Sequence, residues 1–440
     1  MRIAIVGTGY VGLCTGVLLA ELGHDVTLVD IDPERVDAVN QAQAPFHEPG
    51  LDEALARVRE AGRLRGTVDI DEAVPEAEVA FLCVGTPRDE SGQADLSAIE
   101  QAARDIGEAL PAGAEQVVVT KSTVPPGTTE TLVRESVLEA ADLSEAARVS
   151  FAMNPEFLAE GSALADARKP DKVVLGVRNE PAEQRLRTVY ADLEAPVRVV
   201  DPATAELIKY ANNAILATKV SLANELANLC NEIGADWNDV AEAVGLDERI
   251  SGAFLRAGAG FGGSCFPKDV SAIRAVAEDR GVPSLVLEAV LERNERQPDR
   301  VVDLLEAELG SLQGRHVALL GLSFKPGTDD VRGTRALPIH RALVERGAEV
   351  RVHDPEAVEA FQQLAPDAIA AGSLEEALTG AEGVIVQTAW SAYAKLSADT
   401  VRELGEDAVV VDGRRALDEA AFQRSGLTYR AIGLGRAEDV

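Results

Sequence analysis

Within its first two dozen residues the chain runs from an apolar, β-rich stretch, Arg2-Ile3-Ala4-Ile5-Val6, through Gly7-Thr8-Gly9-Tyr10-Val11-Gly12 and on into a helical segment ending near Leu22. No other feature limits the fold as strongly. Glycines at these three places permit a tight turn, a close approach of backbone to a pyrophosphate and tight packing of the helix, whose N-terminus then faces the anion. A second apolar run, Asp25 to Val29, is followed by Asp30, 18 residues after Gly12. A carboxylate there accepts hydrogen bonds from both ribose hydroxyls and repels a 2′-phosphate, so the pattern favours NAD over NADP. A glycine turn of purely structural purpose is the competing reading, and the strand–turn–helix–strand–acid context weighs against it.

The rest of the first half continues the alternation. Val79 to Val84, Gln116 to Thr120 and Val173 to Gly176 read as buried strands, with helical stretches such as Leu96 to Leu110 between them. This implies a parallel sheet covered by helices on both faces. From Ala203 to Ile233 there is no proline or glycine, and Gly234 supplies a stop. Ile208, Ile215, Leu222 and Leu229 recur every seven residues there, which predicts one long helix with an apolar seam. Alternation returns with His316 to Leu320, a helix from Thr334 to Glu345, Glu349 to His353, Gly383 to Gln387 and Ala408 to Val411. The expected fold is therefore α/β: an N-terminal Rossmann domain (1–200), a helical centre (201–310) and a C-terminal Rossmann-like domain (311–440). The two ends read as two copies of one architecture, without sequence similarity to establish it.

Composition narrows the function. The 440 residues carry 74 acidic against 42 basic side chains, a net charge of −32. A scattered polyanion repels nucleic acid, and no apolar run reaches the roughly 20 residues of a membrane span. The start lacks the pattern of a secretory signal, and Cys14, Cys83, Cys230 and Cys265 form no Cys-x-x-Cys pair, so no disulfide framework and no metal site are expected. A reducing cytoplasm fits. The acidic surface is also what adaptation to concentrated salt would produce, since a Debye length of about 3 Å at 1 M hides self-repulsion.

Chemistry concentrates in a few stretches. Gly260-Phe261-Gly262-Gly263-Ser264-Cys265-Phe266-Pro267-Lys268-Asp269 places a thiol beside a proline suited to a first helical turn. The helix dipole and Lys268 would favour thiolate, and Asp269 lies one turn on. Packing gives no reason for a thiol among glycines and charges, whereas Cys14, Cys83 and Cys230 lie in apolar runs and read as core. Lys209 and Asn213 share a helix face, and Asn212 with Asn213 are poor helix formers at mid-helix. Two polar loops, Lys121-Ser122-Thr123-Val124-Pro125-Pro126-Gly127 and Asn154-Pro155-Glu156-Phe157-Leu158-Ala159-Glu160-Gly161, follow strands, where ligands of open α/β sheets gather.

Taken with Pro45 to Leu51 (PFHEPGL), Phe81 to Pro87 (FLCVGTP), Leu320 to Arg332 (LGLSFKPGTDDVR) and Val411 to Arg415 (VDGRR), these motifs resemble the nucleotide-sugar dehydrogenase family from Arg2 to about Leu417. The resemblance implies NAD as cofactor and four-electron oxidation of a sugar C6 alcohol to a carboxylate, through a thiohemiacetal and a thioester. A UDP-linked glucose is the favoured substrate, with a UDP-N-acetylhexosamine or GDP-mannose as the alternative. It makes Cys265 the nucleophile, Lys209 the proton acceptor or oxyanion stabiliser, Asn213 and Asp269 orienting groups, Glu156 the acid/base for hydrolysis, and Thr123 a partner of the water. Cofactor contacts would come from Gly7, Gly9, Tyr10, Val11, Gly12, Asp30, Arg35, Gly85, Thr86, Thr123, Glu160 and Arg332. Substrate contacts would come from Glu156, Phe157, Leu158, Glu160, Lys209, Asn213, Arg249, Arg256, Phe261, Gly262, Phe324, Lys325 and Arg414. It also implies a homodimer or larger assembly, with Arg249 reaching a neighbouring subunit in some members. His47, where many members have tyrosine, and Pro326-Gly327 depart from the family pattern.

Other functions fit less well. A β-hydroxyacid dehydrogenase needs neither Cys265 nor residues 316–415. A nucleotide-sugar epimerase would lean on Tyr-x-x-x-Lys, and none of Tyr10, Tyr190, Tyr210, Tyr393 or Tyr429 has lysine four residues on. A non-enzymatic NAD-binding module would leave the Cys-Asp and Lys-Asn pairs without purpose.

Overall fold

The computed structural model describes residues 1–89, 91–142, 148–405 and 408–435. Compactness divides the chain into two units, 1–212 and 213–440. The boundary falls inside one helix, Pro202–Ile233, which begins in the first unit and ends in the second.

The first unit is built on eight strands: β1 (Arg2–Val6), β2 (Asp25–Val29), β3 (Leu64–Thr67), β4 (Val79–Leu82), β5 (Val117–Thr120), β6 (Ser150–Met153), β7 (Val173–Val177) and β8 (Val197–Val200). Their order across the sheet is β3-β2-β1-β4-β5-β6-β7-β8. Alternation along β1 sends Ile3 and Ile5 into one core with Leu13 and Val17 of the first helix, and Ala4 and Val6 into the other with Leu82 and Ile106. Both faces are thus buried, which explains the near-continuous apolar strands. The sheet is parallel up to β6. There it departs from the expected uniform direction, because β7 pairs antiparallel to β6 and β8 follows β7. Between them the chain doubles back through residues 154–172 with only a six-residue helix, Ala163–Arg168, in place of a full crossover. The consequence is functional: Asn154 and its loop leave β6 at the same sheet edge as the loops after β1, β4 and β5, where the crevice of an open sheet lies.

The second unit carries six parallel strands: β9 (His316–Leu320), β10 (Glu349–His353), β11 (Ile369–Ala370), β12 (Gly383–Val386), β13 (Val409–Asp412) and β14 (Tyr429–Ala431). Their order is β11-β10-β9-β12-β13-β14, position for position that of β3-β2-β1-β4-β5-β6. The junctions match too. Gly7 (φ +102°) donates its N–H to Val29 O at 2.8 Å, and Gly321 (φ +94°) donates to His353 O at 2.8 Å. The expectation of two copies of one architecture is met by geometry where similarity of sequence could not establish it.

Helices supply the rest of the second unit. Phe266–Asp279 and Leu285–Leu309 follow the glycine-rich stretch. The long helix buries Ala223, Ala227 and Cys230 against the second unit's core. Its seam residues Ile215 (62% exposed), Leu222 (54%) and Leu229 (51%) face outward, as do Leu226 and Ile233. Among the described residues no helix is long and apolar enough to cross a membrane.

Candidate active site

The coenzyme end is set by small residues. A Cβ on Gly12 would run into Gly7 O, so only glycine allows the helix Tyr10–Glu21 to start this close to β1. Gly9 is its N-cap and places no side chain on the first turn; where a Cβ would stand, no described atom beyond its two chain neighbours lies within 4 Å. The open N–H groups and the space in front of them fit a pyrophosphate. Asp30 is held at the end of β2 by Thr8, whose N–H (2.7 Å) and hydroxyl (2.5 Å) both donate to Oδ2, and by Asp32 N–H, which donates to Oδ1 at 3.0 Å. Thr8, fully buried, is a positioning residue that the sequence argument passed over as the variable residue between two glycines.

The other expected cofactor residues, Arg332 apart, lie in the same unit. Tyr10 stacks on Phe46 with centroids 3.9 Å apart, and its hydroxyl donates to His47 O. Arg35 pairs with Asp32 at 3.4 Å. Gly85 is exposed, and Thr86 Oγ1 donates to Thr123 O at 2.8 Å, joining the two loops after β4 and β5. Arg332, in the second unit, is exposed and pairs with Asp330 at 2.6 Å.

The loop after β6 meets the first turns of the long helix. Lys209 Nζ lies 2.8 Å from Glu156 Oε1, with 4% and 8% of the two side chains exposed. Burial opposes the Glu156 charge, but the Lys209 ammonium, the Leu158 N–H at 2.6 Å and the more distant Lys121 together hold its carboxyl below the ordinary range. Glu156 is therefore held as the carboxylate in this state. Phe157 lies under two ammonium groups, Lys172 at 4.0 Å and Lys209 at 5.7 Å from its ring centroid. Behind this pair, Asn154 Oδ1 accepts from Lys121 Nζ (2.9 Å) and from the Tyr190 hydroxyl (2.5 Å). Burial lowers the Lys121 pKa against the pull of Glu156, and its ammonium also lies 6.0 Å from the ring centroids of Phe81 and Tyr190. Glu48 of the PFHEPGL stretch is buried and accepts from Gly161 N–H at 2.7 Å, so that motif braces the loop.

Glu206, three residues before Lys209, is a group the sequence argument missed. Fully buried, it accepts from the N–H groups of Gly127 and Thr129 (2.8 Å for the latter), capping the helical segment that follows Thr123. Burial pushes its carboxyl up to about 7. A folded pKa above the unfolded one gives stability that is present below the unfolded value near 4.5 and lost as pH rises through about 7. Glu206→Gln should flatten that loss, worth on the order of 3 kcal/mol, and sacrifice one of the two N–H bonds. Chemical denaturation from pH 5 to 8 measures it; parallel curves for the two proteins would refute the assignment.

In the second unit, Asn213 Nδ2 donates to Asp269 Oδ2 at 2.6 Å, and Lys268 Nζ donates to Asp269 Oδ1 at 2.6 Å. The expected help of Lys268 to the thiolate is thereby offset, because its ammonium is turned to a buried carboxylate. Cys265 is the N-cap of the helix Phe266–Asp279, with Pro267 in the first turn and Asp269 N–H donating to Cys265 O at 2.8 Å. Ser264 Oγ lies 3.5 Å from its sulfur. Cys265 is half-buried, whereas Cys14, Cys83 and Cys230 are buried, and burial pushes the Cys14 and Cys83 thiols up to about 12. The packing reading of those three holds.

Of the expected substrate residues in this unit, Phe261 is buried, and a Cβ on Gly262 would strike Gly333 O. Phe324 packs against Gly263, and Lys325 Nζ sits 5.3 Å from the Phe324 ring. Arg414 donates from Nε to Gln387 O at 2.7 Å; burial, with Arg335 adding repulsion, pulls its guanidinium down to about 10. Arg249 and Arg256 are exposed, Arg249 paired with Asp247 at 2.6 Å.

A turn open to a pyrophosphate, with Asp30 held at the end of the next strand, fits the coenzyme end of an α/β dehydrogenase, and the comparisons give the class. Residues 1–194 match the UDP-glucose/GDP-mannose dehydrogenase family, NAD binding domain; residues 203–296 match its central domain and 318–419 its UDP binding domain. The chain belongs to this family. It is 44% identical over 438 residues to the UDP-glucose 6-dehydrogenase AglM of Haloferax volcanii, covering 98% of this chain and all of the relative. A UDP-glucose 6-dehydrogenase of Pseudomonas aeruginosa is 41% identical over 447 residues, covering 99% of this chain and 98% of that one. Among solved structures, a UDP-glucose dehydrogenase from Pyrobaculum islandicum superposes with a TM-score of 0.92 at 44% identity, covering 98% and 97% of the two chains. A UDP-D-ManNAc dehydrogenase from Pyrococcus horikoshii gives 0.88 at 27% identity, covering 99% and 100%.

Proposed function

We propose that this protein oxidises UDP-glucose at C6 to UDP-glucuronate with two NAD⁺ and one water. The observation that carries the reading is a half-buried cysteine capping a helix, with Asp269 one turn on, in a chain that follows UDP-glucose 6-dehydrogenases over nearly its whole length. In this reading residues 1–200 hold NAD, 201–310 form the helical centre and 311–440 hold the UDP moiety, with Arg414, Lys325 and Phe324 among its contacts and Arg249 and Arg256 adding positive charge.

Gly7 to Gly12 and Asp30 would hold NAD⁺, which when bound would supply the hydride acceptor for each of the two oxidations. The chain does the rest. The Lys209 ammonium either stabilises the C6 alkoxide or, having first passed its own proton to Glu156 Oε1 at 2.8 Å, takes the C6 hydroxyl proton; Glu156 then releases its proton to solvent before the hydrolytic step. Cys265 Sγ adds to the aldehyde carbon and keeps the half-oxidised sugar from escaping. Asn213, one helical turn from Lys209, and Asp269 orient the oxygen of the adduct. For hydrolysis, Glu156 takes a proton from a water placed by Thr123. The water attacks the thioester, the C–S bond breaks, and the thiol and carboxylate are restored.

The test is a panel of UDP-glucose, UDP-N-acetylmannosamine and GDP-mannose, each with NAD⁺ and NADP⁺, in dilute buffer and in molar KCl. Two NADH per UDP-glucose with uronate formed is the expected result, with greater activity and a higher melting temperature in KCl. One NADH per sugar would contradict the covalent route, and preference for another sugar would move the substrate within the family. The four cysteines, none of them in a disulfide, fit a reducing cytoplasm.

We also propose that the outward seam of the long helix pairs with the same helix of a second copy. Ile215, Leu222 and Leu229 repeat at the heptad spacing a helix pair uses, and a two-fold axis makes one patch its own complement. Light scattering should give twice the chain mass, and the double variant Leu222→Asp/Leu229→Asp should give a monomer. A monomeric wild type would end this reading.

A further inference from the structure

We infer that Asn294 is a positioning residue for Cys265, acting through a clamp of three buried side-chain amides on the glycine-rich segment before it; the inference rests on the covalent route proposed above. Residues 255–265 form neither helix nor strand, yet Ala257, Ala259 and Phe261 are buried. Irregular backbone away from water must find its hydrogen bonds elsewhere. Here side chains supply them. Gly258 N–H donates to Asn224 Oδ1 (2.7 Å), and Gln297 Nε2 donates to Gly258 O (2.9 Å). Asn294 serves both groups of Phe261: its Oδ1 accepts the N–H at 2.7 Å and its Nδ2 donates to the carbonyl at 3.0 Å. An amide used this way pairs with the backbone as a neighbouring strand would, and it does so four residues before the sulfur.

The three amides are 1%, 2% and 0% exposed, for Asn224, Asn294 and Gln297, so no water competes for these bonds. Asn294 and Gln297 stand one turn apart on the helix Leu285–Leu309, so a single element carries both. The glycines complete the fit. Gly260 has φ +104°, and a Cβ there would stand 2.7 Å from Asn294 Oδ1. At the far end Gly263 N–H donates to Arg332 O at 2.9 Å, leaving Ser264 alone between the fixed segment and Cys265. Nothing in the clamp touches the reacting atoms. What it determines is where the helix head, and so the thiol, stands when an aldehyde forms.

A loosened clamp should therefore spoil capture of the aldehyde more than its formation. In single turnover with UDP-glucose, NAD⁺ and hydroxylamine, the wild type should yield two NADH per sugar and no oxime. Asn294→Ala should form the first NADH at close to the wild-type rate. Its second should slow about 10- to 100-fold, with oxime accumulating and the KM for NAD⁺ unchanged. Asn294→Asp decides the matter if the alanine variant does not fold. A protonated carboxyl offers one donor and one acceptor, as the amide does, whereas the carboxylate offers none to Phe261 O. The charged group facing position 294 is Arg335, whose Nη1 lies 3.5 Å from Asn294 O and 3.7 Å from the Glu295 carboxylate. Oxime release from Asn294→Asp should rise with pH between 6 and 9, while the wild type stays tight. Wild-type-like retention of aldehyde by both variants, or a pH-independent loss of both oxidations together, overturns the inference. A wild type that makes one NADH per sugar overturns instead the covalent route beneath it.

Discussion

Replacing Cys265 by serine is expected to stop uronate production, with steady-state NADH formation falling on the order of 10³-fold or more. Serine is close in size and keeps the helix start intact, since Cys265 caps the helix Phe266–Asp279 through backbone and not through its side chain. What is lost is a sulfur nucleophile that leaves readily from an acyl group. The first oxidation does not need the sulfur. A burst of at most one NADH per active site should therefore survive, followed by a stall with the sugar retained as aldehyde or hemiacetal. Rapid-quench counting of NADH against sugar measures this. Two NADH per sugar at an undiminished rate would remove Cys265 from the mechanism.

Lys209→Met should be as damaging for a different reason. The ammonium is the cation within ion-pair reach of Glu156 in a pocket where both are more than nine-tenths buried. Removing it leaves a buried carboxylate without its partner, which costs about 3–5 kcal/mol of stability, and takes away an electrostatic stabiliser worth 10²- to 10⁴-fold in kcat, an order-of-magnitude expectation. The sign of the pH dependence separates this from simple loss of packing. In the wild type the depressed Glu156 contributes stability above its unfolded pKa and loses it as pH falls through the folded one. Without Lys209 burial dominates and the carboxyl is raised, so the variant should gain stability on acidification from pH 8 to 5.5. Urea titrations at the two ends of that range test it; a variant with the wild-type pH slope would show that the pair is not coupled as described.

Much of this was legible from residues alone because the apolar strands buried on both faces announce themselves. β1, β2, β9 and β10 were placed to the residue, and the long helix to within one. The strands that escaped, β3 (LRGT), β6 (SFAM), β8 (VRVV), β11 (two residues) and β14 (YRA), are short, and four of them lie at sheet edges. Edge strands are half-buried and interrupted by charge, so neither a continuous apolar run nor clean alternation marks them. The site divides in a similar way. Motifs that approach a ligand through glycine or a lone polar group stood out, as Gly7 to Gly12 and Cys265 did. Groups that act by bracing others did not: Thr8, Glu206, Asn224, Asn294 and Gln297 are ordinary polar residues until the fold brings a buried backbone amide to them. Asn294 and Gln297, three apart on a helix, look in sequence like part of a wet face.

The matched strand orders of the two units carry a last consequence. Asp354, after β10, occupies the place that Asp30 holds after β2. Its Oδ2 accepts from Leu322 N–H, Ser323 N–H and hydroxyl, and the indole N–H of Trp390 at 3.0 Å, and its Oδ1 accepts from the N–H groups of Glu356 and Ala357. With every lone pair engaged and the residue 4% exposed, no adenosine ribose can find an acceptor there. The tandem halves have parted by saturation of a single acid, and equilibrium titration should register one dinucleotide equivalent per polypeptide, not two.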